Sequence, residues 1–131
     1  MTPEPEWLLE ETVLAIHRLL IAEHGGAEGV SDLGLLRSTL ARPQNLAAYG
    51  EREPTLFELA ASYAYGLARN HCFVDGNKRI ALAAALTFLE LHGLRLDAPK
   101  PETFRTMIEL ASGGLSEAEL ASWLGANCRQ V

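Results

Sequence analysis

The chain is 131 residues long, 48% hydrophobic and 21% charged, with a formal net charge of −6. That length predicts a single domain over residues 1–131, large enough to bury a core without disulfide or metal staples. The acidic balance excludes a broad nucleic-acid footprint, which needs a basic face, although a few local cations at a helix end suffice for phosphate.

The two cysteines, Cys72 and Cys128, form no CxxC pair and no Cys/His ligand spacing, and they read as reduced free thiols. The opening stretch "MTPEPEWLLEE" is acidic and proline-punctuated, the opposite of a signal or transit peptide. No run reaches the roughly 18 uncharged apolar residues of a membrane span. The expected location is the cytoplasm, with no membrane or direct nucleic-acid partner.

Strand signals are almost absent, and the elements in chain order are helices. The first is expected from Glu10 to His24, with Val13, Ile16 and Leu20 on one face and Gly25-Gly26 ending it. The second runs from about Asp32 to Arg42, capped by Ser31 or Asp32 and stopped by Pro43. Gln44 to Pro54 reads as a loop. Thr55 with Glu58 forms a capping box that starts the third helix, which continues through Leu59, Tyr63 and Leu67 to about Asn70. The fourth, "NKRIALAAALTFLELHG", is apolar almost all round and is expected at the centre of the core, with Gly93 ending it. A fifth is expected from Pro101 to Ser112, with Phe104, Met107 and Ile108 inward. A sixth starts at Ser116 with a capping box to Glu119. The fold class is therefore all-α, a bundle of about six helices with a buried central helix.

Between the third and fourth helices lies "HCFVDGNKR", residues 71–79. Phe73 and Val74 are apolar and can pin this loop to the core. Gly76 permits a positive φ and a close approach of ligand to backbone. The N–H groups of Gly76, Asn77, Lys78 and Arg79 then stand at the positive end of a helix dipole, and Lys78 and Arg79 add full charges to that anion site. His71 is the one neutral base of the cluster near pH 7. Asp75 is a hard-oxygen ligand for a nucleotide-bound Mg²⁺. The bland alternative is a capped turn, with Asp75 as N-cap, Gly76 and Asn77 as turn residues and His71 as a cation at a helix end. A turn, however, needs neither a base nor two cations converging on bare amides.

The nine residues resemble the core motif of the Fic/Doc superfamily, His-x-Phe-x-Asp/Glu-Gly-Asn-Gly/Lys-Arg. They are closest to its death-on-curing (Doc) branch, in which lysine replaces a glycine of Fic enzymes. The segments "HGGAEGVSDLGLLRSTLARPQ" and "LARNHCFVDGNKRIALAAALTFLELHG" extend the likeness over nearly the whole chain. Typical Fic enzymes carry a second arginine three residues after the first; here that position is Leu82, as in Doc-like proteins.

The resemblance implies the toxin of a toxin–antitoxin pair, a kinase that uses ATP and Mg²⁺ to phosphorylate a threonine of elongation factor Tu. On this sequence His71 would deprotonate the acceptor hydroxyl and Asp75 would hold Mg²⁺ or position phosphate. Gly76, Asn77, Lys78 and Arg79 would bind the phosphates. The runner-up is a Fic-like nucleotidyltransferase that adds AMP to a protein hydroxyl, and a third reading is a catalytically idle module that grips an antitoxin. Some Fic proteins block their own site with a helix bearing Ser/Thr-x-x-x-Glu-Gly/Asn. Thr2 to Glu6 begins such a pattern, but two prolines interrupt it and Trp7 follows. Inhibition is therefore expected from a separate antitoxin, a disordered amphipathic segment that folds on binding.

Among the remaining residues, His17 reads as a structurally satisfied polar group and Cys72 as packing. Arg69 either approaches the phosphates or is solvated. At most one of Tyr63 and Tyr65 can point inward with Leu59. His24 and His92 sit favourably near helix C-termini.

Overall fold

The computed structural model describes residues 3–131, so Met1 and Thr2 lie outside it, and with Thr2 the first position of the Thr2–Glu6 pattern. Six α-helices make up most of the described chain: α1 Glu10–His24, α2 Leu33–Tyr49, α3 Leu56–Asn70, α4 Asn77–Leu91, α5 Lys100–Ser112 and α6 Glu117–Asn127. The helical bundle expected from the sequence is therefore present. Against the expectation of no strands, β1 Leu94–Leu96 pairs antiparallel with β2 Cys128–Gln130, with Leu94 opposite Gln130 and Leu96 opposite Cys128. This ribbon ties the end of α4 to the end of α6. No helix among the described residues is long and apolar enough to cross a membrane.

The helix starts follow their capping chemistry. Thr55 and Glu58 close the capping box of α3, Ser116 and Glu119 that of α6, and Asp32 accepts the Leu35 N–H at the start of α2. Because these side chains bond backbone donors that a first turn leaves unpaired, each boundary is sharp.

One boundary differs from the sequence reading. Pro43 does not stop α2, which continues six residues further to Tyr49. A proline inside a helix forfeits one backbone hydrogen bond and costs about 3 kcal/mol. Here Pro43 is itself buried, and Leu46 beyond it packs on the core. Arg42, just before it, is anchored to α3 and α6: its guanidinium donates to the Ser62 carbonyl at 2.8 Å and to Glu117 at 2.7 Å. Packing on both sides of the proline offsets the lost bond.

The core is built on α3 and α4. On α3, Leu59, Tyr63 and Leu67 are fully buried, with Ala60, Ala61, Ala64 and Gly66 allowing close approach of neighbouring helices. On α4, Ile80, Ala81, Ala84, Ala85, Phe88 and Leu89 are buried, whereas Leu82 and Leu86 are only half-buried. The central place expected of α4 is thus shared with α3, the more enclosed of the two. Tyr63 points inward, where its hydroxyl accepts the Leu8 N–H at 3.0 Å, and Tyr65 lies at the rim, as their alternation requires. On α5, Met107 is buried as expected, but Phe104 and Ile108 are 64% and 42% exposed. The inward stripe of α5 instead runs through Thr103, Met107 and Leu110, rotating Phe104 and Ile108 towards the start of α4.

Candidate active site

The loop between α3 and α4 begins with a strained residue. His71 caps α3 at φ 51° and ψ 49°, the one non-glycine with positive φ among the described residues. That left-handed conformation costs roughly 1–3 kcal/mol in a residue with a Cβ and persists only where surroundings enforce it. The enforcement comes from the segment between α1 and α2, which runs antiparallel to the loop. Ser31 Oγ donates to the His71 carbonyl at 2.8 Å, Ser31 N–H to the Cys72 carbonyl at 2.8 Å, and Val74 N–H to the Gly29 carbonyl at 3.0 Å. Val30 and Phe73 form a single β-bridge. The result is an exposed imidazole, with no hydrogen bond from the described residues, on a backbone held from one side.

Two side chains fix the turn below it. Phe73 is buried, and its ring stacks on that of His17, with centroids 3.9 Å apart. Asn77 accepts the Phe73 N–H through Oδ1 at 3.1 Å and donates from Nδ2 to the Phe73 carbonyl at 3.0 Å. Its side chain is a clamp, which leaves its backbone N–H for a ligand. Val74, expected to pin the loop, is 57% exposed instead; Phe73 alone supplies the apolar anchor.

Gly76 is the N-cap of α4, at φ 74°, with no side-chain cap. The first backbone bond into the helix runs from the Ile80 N–H to the Gly76 carbonyl at 3.0 Å. The N–H groups of Asn77, Lys78 and Arg79 therefore have no acceptor inside the helix and face outward. Gly76 differs from the sequence reading: its N–H is turned to Asp75 Oδ1 at 2.8 Å and does not join the open set. Lys78 and Arg79 are exposed, and neither forms an ion pair with a described residue.

Asp75 is held at its other oxygen too, where Oδ2 accepts the Ala27 N–H at 3.3 Å. These two backbone donors, Gly76 first, hold its carboxyl below the usual carboxylate range, and the nearby charge of Arg79 adds to the effect. The group is thus an exposed anion at neutral pH with lone pairs to spare. One carboxylate is a poor metal site by itself, and no cluster of three ligating side chains occurs among the described residues. It does fit an Mg²⁺ that arrives with a nucleotide, since that ion keeps several waters and takes one or two carboxylates besides phosphate oxygens.

His71, Asp75, Gly76, Asn77, Lys78 and Arg79 line one cavity of about 360 Å³, closed by Ala68, Val74, Phe104 and Ala111. All the residues singled out from the sequence motif thus meet in a space of ligand size. A larger cleft of about 700 Å³ lies between Pro3–Trp7 and the turn from α2 to α3. It offers neither a histidine nor an uncapped helix start, so the smaller cavity is the candidate active site.

Other sequence candidates fall outside this group. The Arg69 guanidinium stands 5.4 Å from the Tyr65 ring, which Arg42 also faces at 5.3 Å. Cys72 is buried and meets Thr39 Oγ1 at 3.5 Å; burial pushes its thiol pKa up, as suits packing better than reactivity. The sequence reading found a family likeness in the α1–α2 segment but not its role, in which Ala27, Gly29 and Ser31 hold the motif loop. The glycine cluster at 25, 26 and 29, all at positive φ, was the available signal of a special backbone path.

Residues 7–89 match the model of the Fic/DOC family. A relative from Escherichia phage P1, named Protein kinase doc, is 37% identical over 114 residues, which cover 87% of this chain and 89% of the phage protein. Another, named Toxin Doc, from Mycolicibacterium smegmatis (strain ATCC 700084 / mc(2)155), is 44% identical over 93 residues, 71% of this chain and 69% of that protein.

Proposed function

The chain belongs to the Fic/DOC family, in its Doc branch, and from that premise we propose that it is a Doc-type toxin. It transfers the γ-phosphoryl group of ATP to a Ser or Thr hydroxyl of a protein, by family resemblance elongation factor Tu, and a cognate antitoxin restrains it. The observation that carries this reading is the uncapped start of α4 beside the exposed His71, with three N–H groups and two cations that find no partner among the described residues. An arrangement of that kind is suited to an anion with several oxygens.

In this reading His71 accepts the proton of the acceptor hydroxyl as its oxygen bonds to the γ-phosphorus. The bond to the β,γ-bridging oxygen breaks, and ADP leaves. Catalysis of such a transfer rests on positioning and on charge stabilisation. Lys78, Arg79 and the open amides of α4 stabilise the negative charge on the transferred group. Asp75 is the residue that would hold Mg²⁺, which would neutralise phosphate charge. The strained backbone of His71 keeps the base at the cavity mouth.

Two residues favour phosphoryl over nucleotidyl transfer. Lys78 puts bulk and charge where a glycine would leave bare amides for the α-phosphate. Leu82, in place of a second arginine, lines an apolar hollow with Phe104, Met107 and Ile108. Expression in bacteria tests the reading. The chain alone should arrest growth, and His71→Ala should relieve the arrest, since loss of a general base costs about two to four orders of magnitude in rate. Equal toxicity of both proteins at matched soluble expression would exclude His71 as the base.

A further inference from the structure

The site includes one residue that lies far from the motif in sequence. His17, on α1, is 2% exposed, a buried polar side chain 58 positions from the residue it bonds. Its Nε2 lies 2.8 Å from the main-chain oxygen of Asp75, and its ring stacks on Phe73 with the planes 18° apart. A carbonyl oxygen only accepts, so Nε2 carries the proton and donates.

The bonded carbonyl belongs to the peptide unit that joins Asp75 to Gly76. In a trans peptide the C=O and N–H point in opposite directions within one rigid plane. Fixing the Asp75 oxygen towards α1 therefore aims the Gly76 N–H the other way, and that N–H is the donor to Asp75 Oδ1 at 2.8 Å. Ile21 and His17 also pack close to this turn: a Cβ on Gly76 would sit 3.3 Å from Ile21 Cδ1 and 3.5 Å from His17 Nε2.

We propose that His17 is a positioning residue for the phosphate site. Its buried imidazole locks the Asp75–Gly76 peptide plane, and that plane holds the Asp75 carboxylate in the orientation that receives a nucleotide-bound divalent cation. The inference rests on the ATP and Mg²⁺ reading above. His17 touches neither nucleotide nor metal, and its effect passes through one hydrogen bond to the backbone.

The test uses the full chain and three variants. His17→Phe keeps a ring for stacking and removes the donor, His17→Leu is a smaller replacement should the first not fold, and His17→Gln restores an N–H at similar reach. A non-hydrolysable ATP analogue is titrated calorimetrically with Mg²⁺ and again with EDTA, and amide hydrogen exchange is followed at Gly76. In wild type Mg²⁺ should tighten binding. In His17→Phe that increment should fall about 10- to 100-fold, the usual effect of losing the partner that orients a metal ligand. Metal-free affinity should stay unchanged and Gly76 should exchange faster, while His17→Gln recovers both. An undiminished Mg²⁺ increment in His17→Phe overturns the proposal, as does unchanged exchange at Gly76. So does an equal loss of metal-free and metal-dependent binding, which marks a merely structural role. Wild type that binds no nucleotide, yet shows His17-dependent protection of Gly76, overturns instead the ATP reading and with it the assigned purpose of the lock.

Discussion

Two kinds of helix start coexist in this molecule. At α3 and α6 a Ser or Thr and a Glu close the first turn on itself, and at α2 Asp32 caps alone. Where no side chain caps, at α1 and α5, glutamates occupy the first turn: Glu10 and Glu11 in one, Glu102 in the other. The start of α4 has no side-chain cap, no acid in its first turn, and two cations in their place. Cations at a helix N-terminus oppose the dipole and cost about 0.3–1 kcal/mol each. Each of the five other helices thus has a side-chain cap, an acid in its first turn, or both, and α4 has neither. The contrast teaches that the start of α4 keeps its backbone donors open at a small cost to the fold, as the proposed phosphate site requires.

Making α4 resemble its neighbours should separate binding from stability. Arg79→Glu gives its first turn the acid found in α1 and α5. Thermal stability should hold or rise slightly, while affinity for an ATP analogue should fall by more than about 100-fold, since a charge-assisted bond is lost and repulsion added. Parallel thermal melts and titrations read the two effects. Gly26→Ala attacks the supporting side. A Cβ there would lie 2.6 Å from Asp75 Oδ2, at φ 115°, so the carboxylate must move. We expect a loss of roughly 1–3 kcal/mol in urea denaturation, together with weaker Mg²⁺-dependent nucleotide binding.

The closed starts should behave in the opposite way. Thr55→Ala and Ser116→Ala should each cost about 1 kcal/mol of stability and leave nucleotide affinity unchanged. A still smaller effect is expected from acid. Arg52 and the Thr55 N–H hold the Glu58 carboxyl down at about 2, against an ordinary value of 4.5. A lowered folded-state pKa stabilises above the unfolded value and loses that contribution as pH falls through the folded one. The stability gap between wild type and Glu58→Gln should therefore be full above about pH 4.5 and close towards pH 2. Its size should stay under about 1 kcal/mol, because the pair is solvent-screened. Denaturation midpoints measured across that range check it.

Most of the fold was legible because it is local. The capping boxes at Thr55 and Ser116 and the apolar periods of α1, α3 and α4 need no tertiary information. Pro43 was misread because Arg42 and Leu46 hold α2 together through contacts with distant helices. Phe104 and Ile108 were misplaced because α5 carries two candidate apolar stripes, and which one turns inward depends on its partners. The short β1–β2 ribbon joins segments more than thirty residues apart and gives no local signal. At the site, the nine motif residues were readable as a group, but their supports were not. Ser31 and His17 each bond a main-chain carbonyl far along the chain, the Ala27 N–H bonds the distant Asp75 carboxylate, and no spacing rule reveals such bonds.

The measurement that bears most directly on the central claim is a pair of label-transfer reactions. The purified chain is incubated with a bacterial extract and ATP labelled at either the γ or the α position, and proteins are separated and imaged. We expect the γ label on a discrete protein of the extract, none from the α label, and no transfer by His71→Ala. Transfer of the α label would contradict phosphoryl transfer and assign nucleotidyl transfer in its place; transfer of the γ label undiminished in His71→Ala would contradict the role of the base.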